Sequence, residues 1–160
     1  VRALSDQIPR ASLRLTLTYH LLPRLSVGVE YNPRADDVGL LANLVAITET
    51  RRRPALIVGT SSDRIGTPSG RSFYATVSKN LSSELRLPVA PYAGVAYSTY
   101  EERFLPIGGL NINFGESFSS QIIFDGVKVH PTLNYATGRH VFTFLLAQGK
   151  NPGVSYSISF

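Results

Sequence analysis

The two-residue alternation of apolar and polar side chains constrains the fold of this chain more than any other feature. Over residues 154–160, Val154, Tyr156, Ile158 and Phe160 alternate with Ser155, Ser157 and Ser159. Successive side chains of a strand point to opposite faces, so this segment has one oily face and one small polar face. The same period builds a hairpin near the start. Leu13, Leu15, Leu17 and Tyr19 alternate with Ser12, Arg14, Thr16, Thr18 and His20. After a turn at Leu22-Pro23-Arg24, Leu25, Val27, Val29 and Tyr31 alternate with Ser26, Gly28, Glu30 and Asn32. If the hairpin is symmetric about Leu22, Arg14 stands opposite Glu30 on the polar face, a cross-strand ion pair.

Further strands are predicted at 41–48, 55–61, 72–80, 87–98, 104–114, 118–124, 127–135, 140–148 and 153–160. Residues 39–47 also fit a short helix. Asp125-Gly126 and Thr137-Gly138-Arg139 read as tight turns. Pro88, Pro91, Pro106 and Pro131 fall in or at the start of strands and predict bulges, edges or shifted boundaries, because proline lacks the ladder donor. The count is eleven strands. An even-numbered closed sheet then requires a strand before Ala11, or one strand fewer, giving ten or twelve.

The chain has 160 residues and no cysteine, methionine or tryptophan. One β-barrel domain over 1–160 is expected, or a piece of a larger barrel or protein. No stretch approaches the roughly 20 apolar residues of a membrane helix. Absent cysteine removes disulfides and thiolate metal sites. Net charge is +5, with charges concentrated between the apolar runs. No basic helix and no basic-aromatic face argues for nucleic acid. The charges read as solvated loops or, alternatively, as an attraction for an anionic surface or polymer such as lipopolysaccharide or an acidic polysaccharide.

A chain whose last outward strand position is an aromatic resembles the C-terminal strand of bacterial outer-membrane β-barrels. The resemblance implies an antiparallel up-and-down transmembrane barrel of about 10–12 strands in a Gram-negative cell envelope. Its oily faces would meet lipid and its polar faces a lumen. Counting loops backward from Phe160, with the C-terminus periplasmic, puts 149–152, 125–126, 99–102, 61–70 and 32–37 outside. It puts 136–139, 115–117, 81–86, 51–53 and 21–24 inside. The longest connection, 61–70, falls on the outer side. Outward aromatics sort into two girdles, Tyr31, Tyr97 and Phe124 at the outer rim and Tyr19, Phe114, Phe118, Tyr135 and Phe160 at the inner.

Residues 53–79, RPALIVGTSSDRIGTPSGRSFYATVSK, resemble YjbH-like outer-membrane proteins linked to exopolysaccharide export. The resemblance rests on Pro54, Gly59, Asp63, Ile65, Gly66, Thr67, Tyr74, Ser78 and Lys79, about a sixth of the chain. It implies a connection to polysaccharide export, in a chain that would be a piece or a reduced relative of longer members.

The polar face supplies the candidate site: Arg14, Glu30, Asn111, Asn113, Gln121, Lys128, His130 and Asn134, read as lumen-facing. Small barrels of this strand number have narrow bores, filled or only slightly permeable. A structural or porin-like narrow-transport role follows. Expected partners are outer-membrane lipid and lipopolysaccharide, the barrel-assembly machinery, and a polysaccharide or small solute; no cofactor is expected. His20, His130 and His140 show no metal-ligand spacing. Ser61, Ser62, Asp63 and His140 are the one set that suggests a lipid hydrolase or acyltransferase, without a Gly-x-Ser-x-Gly elbow. Two rival readings stand beside the membrane barrel. One is a soluble barrel or sandwich holding an apolar ligand. The other is a barrel-embedded lipid-modifying enzyme.

Overall fold

The computed structural model describes residues 1–4, 12–82 and 87–160. Twelve antiparallel strands are described, and they close into one barrel in which each strand pairs with its chain neighbours and β1 meets β12. They are β1 (Arg2–Leu4), β2 (Leu13–Leu22), β3 (Leu25–Asn32), β4 (Asp37–Ile47), β5 (Ala55–Ser62) and β6 (Arg71–Ser78). The circuit continues with β7 (Val89–Ser98), β8 (Arg103–Asn113), β9 (Phe118–Phe124), β10 (Val129–Thr137), β11 (His140–Ala147) and β12 (Asn151–Ile158). Closure joins the first and last strands, so most backbone donors and acceptors of the circuit are satisfied by neighbouring strands.

The strand missing from the alternation count is β1. Its three residues are too few to register as a period, yet Arg2↔Ser155, Ala3↔Val154 and Leu4↔Gly153 join it to β12, and Arg2↔Arg14 to β2. Residues 39–47 form part of β4, laddered to β3 throughout, rather than a helix. The first hairpin pairs Thr16 with Glu30, not Arg14 with Glu30. The turn falls at Pro23 and Arg24, with Leu22 paired to Leu25, so the hairpin is not centred on Leu22, and Arg14 reaches Glu30 diagonally. Pro91, Pro106 and Pro131 lie inside ladders whose register runs through them without a break. Each forgoes one hydrogen bond, and the paired residues on either side keep the strand in place. The predicted 81–86 connection falls partly outside the described residues, at 83–86.

The apolar faces point outward. Leu17, Tyr19, Leu40, Phe73, Phe104, Leu133, Phe144 and Val154 are all exposed. Polar side chains of the opposite phase turn inward, where Glu30, Asn32, Ser98, His130 and Thr132 are buried. The only apolar core cluster among the described residues is small: Leu4, Leu145 and Ala147 inside the wall, with Ile65 from the long loop packed against them.

The two ends differ. At the end carrying the 63–70 loop, the loop folds over the barrel mouth. Asp63 Oδ2 accepts from Ser98 Oγ at 2.6 Å and from the Tyr100 amide at 3.2 Å, and Thr67 is 1 % exposed. At the opposite end the inward residues Thr16, Thr18, Asn43 and Ser157 remain exposed, forming an open vestibule. Closure by β1 depends on Gly153, where a Cβ would strike the Leu4 side chain and the Ala3 carbonyl. Gly153→Val is expected to cost about 1–3 kcal/mol through overpacking. Hydrogen exchange should show faster exchange at Ala3 and Leu4, with the β10–β11 amides still protected.

Candidate functional site

The interior is built by strand phase. Arg14 in β2 and Glu30 in β3 project inward and form an ion pair, with Glu30 0 % exposed. Among the described residues, neither Glu30 oxygen accepts a well-directed hydrogen bond. Charge therefore holds the pair, and the penalty of stranding one partner is severe in such a site. A third group, Arg71, brings Nη1 to 4.0 Å from Glu30 Oε1.

A second polar band crosses β8 to β11. Thr143 Oγ1 donates to Asn134 Oδ1 at 2.7 Å, and Asn134 Nδ2 to Ser119 Oγ at 3.3 Å. Asn111 pairs across to Gln121, and Gln121 to Thr132. Asn113 sits at the end of β8 and is exposed at the open mouth. Lys128 departs from its predicted lumen position. β10 begins at Val129, and Lys128 is an exposed turn residue at the rim, its amide donating to Asp125 Oδ1 at 2.7 Å.

His130 is buried at the closed end. Its Nδ1 accepts the Gln148 amide at 2.9 Å, which places the proton on Nε2, 2.8 Å from Asp125 Oδ2. Gln148 takes a left-handed backbone (φ 55°) and donates from Nε2 to the Ile65 carbonyl at 3.3 Å. The β9–β10 turn, the β11–β12 turn and the covering loop are thus tied together through one histidine. Burial alone would raise the Asp125 pKa. Hydrogen bonds from His130 and from the Lys128 and Val127 amides overcome this and hold it below the ordinary aspartate range. Nearby, Glu101 is held low first by its hydrogen bond from Arg103 and then by Arg64, and burial opposes the shift. Arg64 and Arg103 both bind it, clamping the covering loop to the β7–β8 turn.

The other candidates do not assemble. His140 contacts Tyr156 Oη at 2.8 Å at the open end, away from Ser61, Ser62 and Asp63 at the closed end. His20 contacts Ser26 Oγ at 2.9 Å near the first turn and His130 lies at the opposite end. Between the wall and the covering loop lies a cavity of about 170 Å³, lined by Tyr74, Tyr92, Leu105, Ile107 and Ile123 with Ser61 and Ser72.

Outside, Tyr31, Tyr97 and Phe124 stand toward the closed end. Tyr19, Phe114, Phe118 and Tyr135 stand toward the open one, with the Phe118 and Tyr135 rings 5.0 Å apart between centroids and tilted by 40°. Val154, Tyr156 and Ile158 share the outer face of β12, and Phe160 lies beyond its end, 97 % exposed. Charge is distributed unevenly between the rims. Among the described residues, the open rim carries Arg24, Arg51, Arg52, Arg53, Lys79 and Arg139 against Glu49 and Glu116. At the closed rim, Arg34, Arg64, Arg71, Arg103, Lys128 and Lys150 are balanced by Asp36, Asp37, Asp63, Glu101, Glu102 and Asp125.

Sequence reasoning missed Arg71, Asp63 and the His130–Asp125 pair as organising groups. Strand phase assigns Arg71 no interior role, and only the hairpin turn brings position 125 back to 130. No family model matches the chain, and comparisons with curated proteins and with solved structures return no match.

Two outcomes follow. Arg14→Ala should cost up to about 3–5 kcal/mol by leaving buried Glu30 with only the more distant Arg71 as counter-charge, and Arg14→Met with Glu30→Leu should recover most of it in chemical unfolding. Asp125 has a folded pKa below its unfolded value, near 3.9. Its contribution is present above that value and disappears as pH falls through the lower folded one. Exchange at the Val127 and Lys128 amides should accelerate in that acid window, and Asp125→Asn should abolish the pH dependence.

Proposed function

We propose that this chain is a bacterial outer-membrane β-barrel whose interior is largely closed by its own side chains. It would act as a structural or narrow-transport element of a Gram-negative envelope. The observation that carries the reading is the inversion of polarity: large apolar side chains stand exposed around the circuit, and ion pairs and amides occupy the inside. Contiguous exposed apolar surface on this scale is foreign to a soluble monomer. Strands of 7–11 residues across most of the circuit suit a hydrocarbon layer crossed at a tilt. Aromatics toward both ends suit its two interfaces.

In this reading lipid and lipopolysaccharide are the immediate surroundings, and the barrel-assembly machinery is the partner that inserts the barrel. The closed rim, with balanced charge, faces outward; the basic open rim faces the periplasm. Contact with lipopolysaccharide phosphates is therefore made by individual groups such as Lys128 and Lys150 rather than by a net positive field. The likeness of residues 53–79 to YjbH-like proteins supports a link to polysaccharide export, and the basic mouth suits an acidic glycan approaching from the periplasmic side. A soluble barrel enclosing an apolar ligand is disfavoured by the polar interior. An embedded lipid enzyme is disfavoured by the separation of His140 from Ser61 and Ser62.

Expression should yield a protein that requires detergent for extraction and migrates differently on gels before and after heating. Leu133→Arg, in the middle of the outer face of β10, should cost about 2–4 kcal/mol when folded into bilayers. Solubility as a monomer in plain buffer, with Leu133→Arg neutral, would remove the membrane reading. In planar bilayers the barrel should conduct far less than an open porin, and porin-sized conductance would remove the closed interior.

A further inference from the structure

The seam between β4 and β5 is incomplete toward the closed end. β4 extends to Asp37 and β5 to Ser62, but the ladder between them stops at Ala42↔Thr60 on the way to the closed end. Arg71 occupies the gap. Its Nη2 donates to the Val38 carbonyl at 2.7 Å and its Nη1 to the Leu40 carbonyl at 3.2 Å, standing in for the absent strand. Gly39 makes this possible, because a Cβ there would collide with the guanidinium.

On the inner side of the seam, Arg71 and Arg14 converge on the single carboxylate of Glu30. Arg2 is paired in register with Arg14. Asp37, the next acid toward the rim, accepts from Asn32 at 3.4 Å. Two guanidinium groups against one carboxylate leave surplus positive charge, and Arg14 and Arg71 keep 21 % and 29 % of their side-chain surface exposed. On the outer side, an apolar groove of about 710 Å³ begins at the last ladder pair, Ala42 and Thr60. It runs past Ala75 and is walled by Phe73, Tyr97 and Phe104. The small side chains make the groove and the large ones bound it.

A cationic notch opening onto a hydrocarbon-lined groove is complementary to one kind of molecule. We infer that the β4–β5 seam binds a single-chain anionic amphiphile, its carboxylate or phosphate at Arg71 and Arg14 and its hydrocarbon chain in the outer groove. The assignment rests on the membrane reading, since the groove must face lipid to receive such a chain. Guanidinium groups bind either head in a bidentate manner.

The test uses the full chain refolded in a neutral maltoside detergent, with binding read by native mass spectrometry and calorimetry. Dodecanoate should saturate at one per barrel, and dodecanol and inorganic phosphate should each bind at least about tenfold more weakly. Arg71→Gln and, separately, Ala75→Phe should each weaken dodecanoate about tenfold. The heat-shifted gel band checks that each variant remains folded. Ala75→Phe and the ligand series decide the matter even if Arg71→Gln does not fold. Dodecanol binding as tightly as dodecanoate would overturn the anion site. Phosphate binding as tightly, with Ala75→Phe silent, would overturn the role of the groove. A chain soluble without detergent would instead defeat the membrane reading, a result distinguishable from either.

Discussion

Closure of the sheet is the constraint on which everything else in this molecule depends. Once β1 joins β12, most backbone polar groups of the circuit satisfy one another. What remains to be arranged is a single choice made by side-chain phase: which face looks in. Here the bulky apolar residues look out. The inward face carries serine, threonine and asparagine together with the Arg14–Glu30 pair. Hydroxyl and amide side chains share the interior with a few large groups, Leu4, Leu145, Leu105, Tyr74 and Tyr92 among them.

Within that frame the two ends diverge for physical reasons. The closed end holds the buried polar groups, and each is tied to another. Asp63 holds Ser98 and Tyr100, His130 joins Asp125 to Gln148, and Glu101 takes both Arg64 and Arg103. These ties anchor a loop whose Ile65 joins the only apolar cluster inside the wall among the described residues. Among the described residues the open end has no such cover, and its inner threonines and serines remain solvated. Net positive charge gathers at that rim among the described residues and the closed one is neutral, so any attraction for an anionic polymer acts at the open mouth.

Much of the fold was legible because period-two alternation is a direct record of which way side chains point. The strand 118–124 was placed at its observed bounds, and the outer face of β12 followed from Val154, Tyr156 and Ile158 alone. What was not legible depended on contacts that alternation does not encode. β1 is too short to show a period. The Thr16↔Glu30 register follows from a turn at Pro23 and Arg24 rather than one centred on Leu22. Prolines 91, 106 and 131 suggested interruptions that the ladder does not have. Arg71 was invisible as a wall element because its role is set by where the β4–β5 ladder stops, a tertiary fact. Lys128 was assigned inward by phase, but β10 starts one residue later and leaves it at the rim.

The most direct test of the outward-facing apolar surface exploits the absence of tryptophan from the chain. A single tryptophan placed at Leu133 on the outer face, or at Thr18 inside the vestibule, reports its surroundings when the barrel is folded into vesicles with brominated acyl chains. Strong quenching at position 133 and little at 18 is the result this account predicts. Quenching at neither site, or at position 18 alone, would contradict it.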